Sequence, residues 1–163
     1  MERRDVVFEF LKSHNIDYSW YEHAPAPTIE DARKVWHQDG SKHCKNIFLR
    51  NHKGNRHYLV IFDCEHSLVI RDLEQLLKQG KLSFASQPRM EKYLALLPGS
   101  VSPFGLINDS ENHVHLFIDE TLQHQSSLSF HPNDSSATVV IEQGEFRRYL
   151  EVMGNSYEYL KLY

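Results

Sequence analysis

The chain has 163 residues, 40% of them apolar and 25% charged, and a formal net charge of −4 with histidine neutral. That size predicts one domain with a core of its own, and the composition is that of a soluble globular protein with no apolar run long enough to cross a bilayer. Cys44 and Cys64 form no CxxC pair, which argues against a disulfide scaffold and against a cysteine zinc site.

The first fifteen residues, MERRDVVFEFLKSHN, carry charges where a signal peptide needs an apolar stretch, so the expected location is the cytoplasm. Val6, Val7, Phe10 and Leu11 fall on one face of a helix predicted over Arg3 to His14. Tyr18 to His23 reads as a short strand, and Ala24-Pro25-Ala26-Pro27 as a loop. Thr28 with Asp31 three residues on is an N-cap pattern, predicting a helix to about His37. Lys45–Arg50 and His57–Asp63 are β-rich runs joined by the turn-like Asn51-His52-Lys53-Gly54-Asn55, which predicts a hairpin.

Helical spacing returns over Arg71 to Gln79, with Gly80 as the stop. Leu82–Ala85 reads as a strand, Pro88 opens a helix to about Leu96, and Pro98–Gly105 is a loop pinned by glycine and proline. Strands are predicted at Val114–Ile118, Leu128–Phe130 and Thr138–Ile141, then a helix over Glu145–Met153 and a tyrosine-rich apolar tail. Strands and helices are interspersed without a βαβ repeat, which predicts a mixed α/β (α+β) domain with a largely antiparallel sheet flanked by helices. No repeat or linker divides the chain, so residues 1–163 are expected to form one domain.

Charge is unevenly distributed. Between Arg33 and Arg56 lie seven basic residues against Asp39 alone, whereas the chain after Ile107 has nine acids against Arg147, Arg148 and Lys161. Such a layout can steer a phosphate backbone to one side of a molecule, or it can be a solvated surface with fortuitous clustering.

The motifs of common hydrolases and nucleotide-binding folds (GxSxG, HExxH, the Walker loop, GxGxxG) are absent. Lys45 opens a strand that soon turns apolar, so its ammonium can stand at the strand's mouth and hold a phosphate or polarise a carbonyl. An edge lysine that discourages strand pairing is the ordinary alternative. Gly99-Ser100-Val101-Ser102-Pro103 can point successive N–H groups into one concavity, or simply be a tight turn. His131, after a strand and before Pro132, can orient a water or contact a ribose hydroxyl, or merely close the strand. Arg89 and Lys92 share a helix face that can grip phosphates, or be plain exposed charges. His113 and His115 lie on one side of a strand, but no third ligand is spaced to complete a metal site, and none is expected.

Taken in order, Lys45–Arg50 (KNIFLR), Leu82–Ser86 (LSFAS), Gly99–Leu106 (GSVSPFGL), Phe130–Asn133 (FHPN) and Thr138 resemble the YbaK/aminoacyl-tRNA-synthetase-associated domain family. The likeness is to its free-standing prolyl-tRNA editing members and extends over nearly the whole chain. It implies a curved central sheet and deacylation of Ala-tRNA(Pro), without a cofactor. Lys45 matches the family's essential lysine, Gly99 and Pro103 the ends of its GxxxP loop, and His131 a histidine of the pocket. Asn46 matches a position of the same site and Arg89 a basic position that contacts the tRNA acceptor end; with Lys92, Asn133 and Thr138 they are the expected substrate- and tRNA-binding residues. The partner implied is the acceptor end of tRNA(Pro), delivered by prolyl-tRNA synthetase or an elongation factor if unaided binding is weak, and no membrane. Cys-tRNA(Pro) or another mischarged tRNA, and a non-catalytic binding module on the same fold, are the alternatives. The oligomeric state is left open.

Overall fold

In chain order the elements are α1 (Arg3–Ser13), β1 (Ser19–Glu22), α2 (Ile29–Arg33), β2 (Lys42–Asn51), β3 (His57–Asp63), α3 (Ile70–Leu77), β4 (Leu82–Phe84), α4 (Gln87–Leu94), β5 (His115–Asp119), β6 (Ser127–Phe130), β7 (Ala137–Glu142), α5 (Gln143–Met153) and β8 (Tyr157–Leu160). Two 3-10 helices, Pro103–Asn108 and Glu120–His124, flank β5. The computed structural model describes all residues 1–163.

The expected hairpin forms the middle of the sheet, with Lys45 opposite Phe62 and Arg50 opposite His57. Its second strand, HYLVIFD, is apolar from Tyr58 to Phe62 because both of its faces are covered. Side chains alternate along a strand, so Leu59 and Ile61 enter a core shared with α1, α4 and α5. Tyr58, Val60 and Phe62 enter a smaller core with Leu73 and Leu77 of α3. The strand order is β1-β7-β6-β2-β3-β5-β8, with β4 pairing β2. The pairs β1–β7, β6–β7, β2–β3 and β2–β4 are antiparallel, and β2–β6, β3–β5 and β5–β8 are parallel. The sheet is thus mixed and mostly antiparallel, as expected.

The tail does more than the sequence suggested: Tyr157–Leu160 adds a parallel edge strand beside β5. Two buried carboxylates hold it there. Asp119 accepts from the Leu162 N–H at 2.9 Å, and Asp109 accepts from the N–H groups of His113 (3.1 Å) and Val114 (2.8 Å) and from Asn155 Nδ2 (2.9 Å). Asp109→Ala therefore strands several donors, two of them buried. It should destabilise the protein by about 3 kcal/mol, read as a lower urea midpoint.

Helix α2 is shorter than expected. Thr28 caps it, its Oγ1 accepting from the Asp31 N–H at 3.1 Å, but the helix ends at Arg33. The next residues form one closing turn, Val35 and Trp36 both donating to Ala32 O at 3.0 Å.

Behind the hairpin turn lies a histidine pair, His57 buried and His113 half-buried. Arg89 Nη1 is 3.1 Å from His57 Nε2 and can only donate, so His57 carries its proton on Nδ1 and donates to His113 Nε2 at 2.9 Å. Burial, with the neighbouring cations, pushes the His57 pKa down to about 4. A neutral buried histidine with a depressed pKa stabilises the fold fully above its unfolded value of about 6.5. Below that the unfolded state binds the extra proton, so stability falls as pH drops from about 6.5 toward 4. The urea midpoint should decline over that window, and His57→Gln should flatten the decline.

Candidate active site

The site arises from a gap in strand pairing. One edge of β2 is paired with β3 along most of its length. The other edge meets β6 only at Lys42 and His43 and β4 only at Leu49 to Asn51, and the Phe48 carbonyl accepts from Ala85. Cys44 to Ile47 are left without a strand partner on that side. Backbone and side-chain polar groups there face a cleft instead of a neighbouring strand, which is how a sheet can present polar chemistry next to its core.

The cleft encloses about 580 Å³ and is lined by Cys44, Lys45 and Asn46 from β2, by Ser129, Phe130, His131 and Thr138 from β6, β7 and the turn between them, and by Gly99 and Val101. The loop from Ala26 and α2 close the remaining side. Gly99 has φ +87°, and a Cβ added to it would lie 2.5 Å from Pro27 Cβ. Only glycine permits this approach of the two loops. The Pro27 loop is held from the other direction by the Ala26 N–H, which donates to Ser135 O at 2.8 Å.

Within the Gly99–Pro103 segment the roles divide. The Ser100 N–H and hydroxyl both go to Leu97 O, at 3.1 and 2.8 Å. Ser102 is buried and accepts from the Phe104 N–H at 3.0 Å, and Pro103 is buried at the start of its 3-10 helix. The amides of Gly99 and Val101 bond to no protein acceptor.

On the opposite wall, Lys45 has no carboxylate partner, unlike Lys42, whose ammonium is 3.2 Å from Asp63. Asn46 contributes a buried Oδ1 that accepts no hydrogen bond. Thr138 is 2.8 Å from His23 Nε2, whose Nδ1 is 2.8 Å from Ala24 O, so the ring donates to the carbonyl and accepts from the threonine. His131 Nδ1 lies 2.8 Å from Ala137 O, and burial lowers its pKa, so the ring is neutral near pH 7. His43 is half-buried, and the loss of solvent pushes its pKa down to about 4. Burial raises the Cys44 thiol well above its usual range, leaving it a poor nucleophile.

Of the residues singled out from sequence, Lys45, Asn46, Gly99, Val101, His131 and Thr138 share this cleft. Ser100 and Asn133 line a different pocket near the N-terminus, and Asn133 Nδ2 donates to Phe104 O at 3.3 Å. Arg89 is turned to the hairpin, donating to Gly54 O at 2.9 Å, and exposed Lys92 lies 5.1 Å above the Tyr93 ring. His113 turns to His57, while His115 Nδ1 is 2.6 Å from Ser156 Oγ. No three His, Cys, Asp or Glu side chains form a metal-holding group. The basic stretch splits, with Arg33 bound to Glu65 at 3.0 Å near the cleft and Arg50, Lys53 and Arg56 around the hairpin turn. No helix is long and apolar enough to cross a membrane.

Sequence reasoning passed over His43, Cys44, Trp36 and Ser129, all of which line the cleft. His43 and Cys44 were within reach, since they precede Lys45 on the same strand. Trp36 and Ser129 required knowing which strands part.

A model of the aminoacyl-tRNA editing domain matches residues 23–149. The prolyl-tRNA editing protein ProX of Acetoanaerobium sticklandii is 37% identical over 162 residues, covering 99% of both chains. A prolyl-tRNA synthetase associated domain-containing protein of Danio rerio is 30% identical over 93% of this chain and 83% of its own. Among solved structures, a candidate trans-editing enzyme for prolyl tRNA synthetase superposes with a TM-score of 0.73 at 16% identity, covering 99% of this chain and 98% of that one.

Proposed function

The chain belongs to the aminoacyl-tRNA editing domain family, and from that premise we propose that it is a prolyl-tRNA editing deacylase whose substrate is Ala-tRNA(Pro). The observation that carries this reading is the meeting of Lys45 and Asn46 with Gly99 and Val101 across one cleft at the open edge of β2. An aminoacyl ester is already activated, so the site needs no side-chain nucleophile. It needs to hold the carbonyl, stabilise the developing charge and admit the attacking oxygen.

The unbonded amides of Gly99 and Val101 are suited to the oxyanion, because fixed donors cost no reorganisation as charge develops. Lys45 supplies the positive charge for the carbonyl end or the terminal phosphate. Asn46 stands beside it on the same wall, with an Oδ1 that is buried and has no hydrogen-bond partner. Water attacks the carbonyl carbon, with the neighbouring ribose hydroxyl placed to relay its proton. The ester C–O bond breaks, the ribose oxygen takes the proton that the water gives up, and alanine leaves with uncharged tRNA. His131 and Thr138 fix the cleft's far wall.

The chemistry explains why such a site is useful. A pocket that fits proline discriminates against the smaller alanine by only about 1–3 kcal/mol, so a second and narrower site supplies the remaining selectivity. Comparison of Ala-tRNA(Pro) with Ala-tRNA(Ala) tests whether the tRNA is read. Faster hydrolysis of the first supports the reading, and equal rates would reduce it to an alanyl esterase.

A further inference from the structure

Beside the cleft, and sharing Trp36 and His43 with it, lies a pocket of about 320 Å³ whose remaining wall includes Arg33, His37 and Gly40. The other sizeable pockets, near Arg3 and near His57, share no residue with the cleft. One flat pair builds the shared wall, and a second stands beside it with only His37 lining the smaller pocket. Trp36 stacks on His43 with centroids 3.9 Å apart and planes 10° apart, and His37 stacks on Tyr21 at 3.6 Å and 7°. The Arg33 guanidinium lies 5.7 Å from the Trp36 ring.

The backbone that carries these rings is tied down at both residues. The backbone N–H of Trp36 donates to Ala32 O, and the backbone N–H of His37 donates to the Tyr21 hydroxyl at 3.1 Å. Burial keeps His43 neutral near pH 7, so the wall is a π surface there and not a phosphate-gripping cation. Aromatic planes with an adjacent arginine are what unpaired nucleobases stack on.

An ester held in the cleft is bonded to the ribose of a terminal nucleotide, and the base of that nucleotide must lie within a nucleoside's length of the carbonyl. We propose that the pocket sharing Trp36 and His43 receives this base, stacked on the Trp36–His43 platform with Arg33 beside it. The assignment rests on the deacylase reading for the identity of the ester, and on the pocket's own geometry for the base.

The chain has two tryptophans, and Trp20 packs in a separate cluster with Phe8 and Arg4. In a Trp20→Phe protein, Trp36 alone reports by fluorescence. Adenosine monophosphate should quench it saturably, and ribose 5-phosphate should be at least about tenfold weaker, since stacking carries the binding. Equal quenching by the two, or no quenching by millimolar adenosine monophosphate, would overturn the assignment.

In the otherwise unaltered protein, Trp36→Ala should raise KM for the charged tRNA about tenfold with kcat held within about threefold, and Trp36→Phe should restore most of the loss. A fall in kcat alone that phenylalanine does not rescue would make Trp36 a structural residue and contradict the proposal. If adenosine monophosphate binds but no charged tRNA is hydrolysed, the pocket stands and the deacylase reading falls. Hydrolysis without nucleotide quenching gives the reverse.

Discussion

Lys45→Ala is expected to lower the deacylation rate by about 10²- to 10³-fold, the range for removing one preorganised charge or donor from a developing oxyanion. Stability should barely move, by about 0.5 kcal/mol or less, because Lys45 is only partly buried and has no ion-pair partner to strand. Single-turnover deacylation beside thermal unfolding separates the two effects. Lys42→Ala is the useful contrast: it breaks the pair with Asp63 and leaves the cleft's lysine in place. A folded Lys45→Ala protein with normal turnover would remove the lysine from the mechanism.

Gly99→Ala should be damaging for two reasons that add. Its φ of +87° is strained for any residue with a Cβ, and that Cβ would meet Pro27 Cβ at 2.5 Å and Pro27 Cα at 3.0 Å. The strain should cost about 1–3 kcal/mol of stability. The clash should push the Pro27 and Gly99 loops apart and move the Gly99 and Val101 amides. A displacement of about 1 Å in a positioning group is worth about 10²-fold in rate, and that is the expected loss. Gly80 separates backbone strain from displacement, since it has φ +78° but open space around its would-be Cβ. Gly80→Ala should lose stability and keep its activity.

Much of this molecule is readable from local chemistry. The hairpin of β2 and β3, the Thr28 cap and the helix opened by Pro88 follow from residue patterns that need no partner to be recognised. Ser86, which the sequence placed at the end of a motif, turns out to cap that helix by accepting from the Arg89 N–H. What is missed depends on distant partners. Tyr157–Leu160 is a strand because β5 offers it a parallel edge and Asp109 and Asp119 hold its ends, and nothing within the tetrapeptide announces that. Helix α2 stops early, its last turn closed by Val35 and Trp36 on the Ala32 carbonyl, and both Ala32 and Trp36 line the cleft.

The candidate site shows the same division. Lys45, Asn46, Gly99, Val101, His131 and Thr138 were singled out by type and order, and they line one cleft. Arg89 and Lys92 were paired by helical spacing, yet Arg89 spends its guanidinium on Gly54 O and His57, an arrangement set by the hairpin turn 35 residues earlier. The gap between β6 and β4 along β2 creates the cleft, and a gap in pairing has no sequence signature of its own.

The most direct test of the account is the rate at which excess protein hydrolyses Ala-tRNA(Pro), Pro-tRNA(Pro) and Cys-tRNA(Pro), measured side by side under single-turnover conditions. The account predicts rapid loss of alanine, with proline and cysteine retained at close to the rate of the uncatalysed ester. Hydrolysis of the cysteinyl ester in preference would keep the cleft chemistry and overturn the substrate, and survival of all three esters would contradict the deacylase itself.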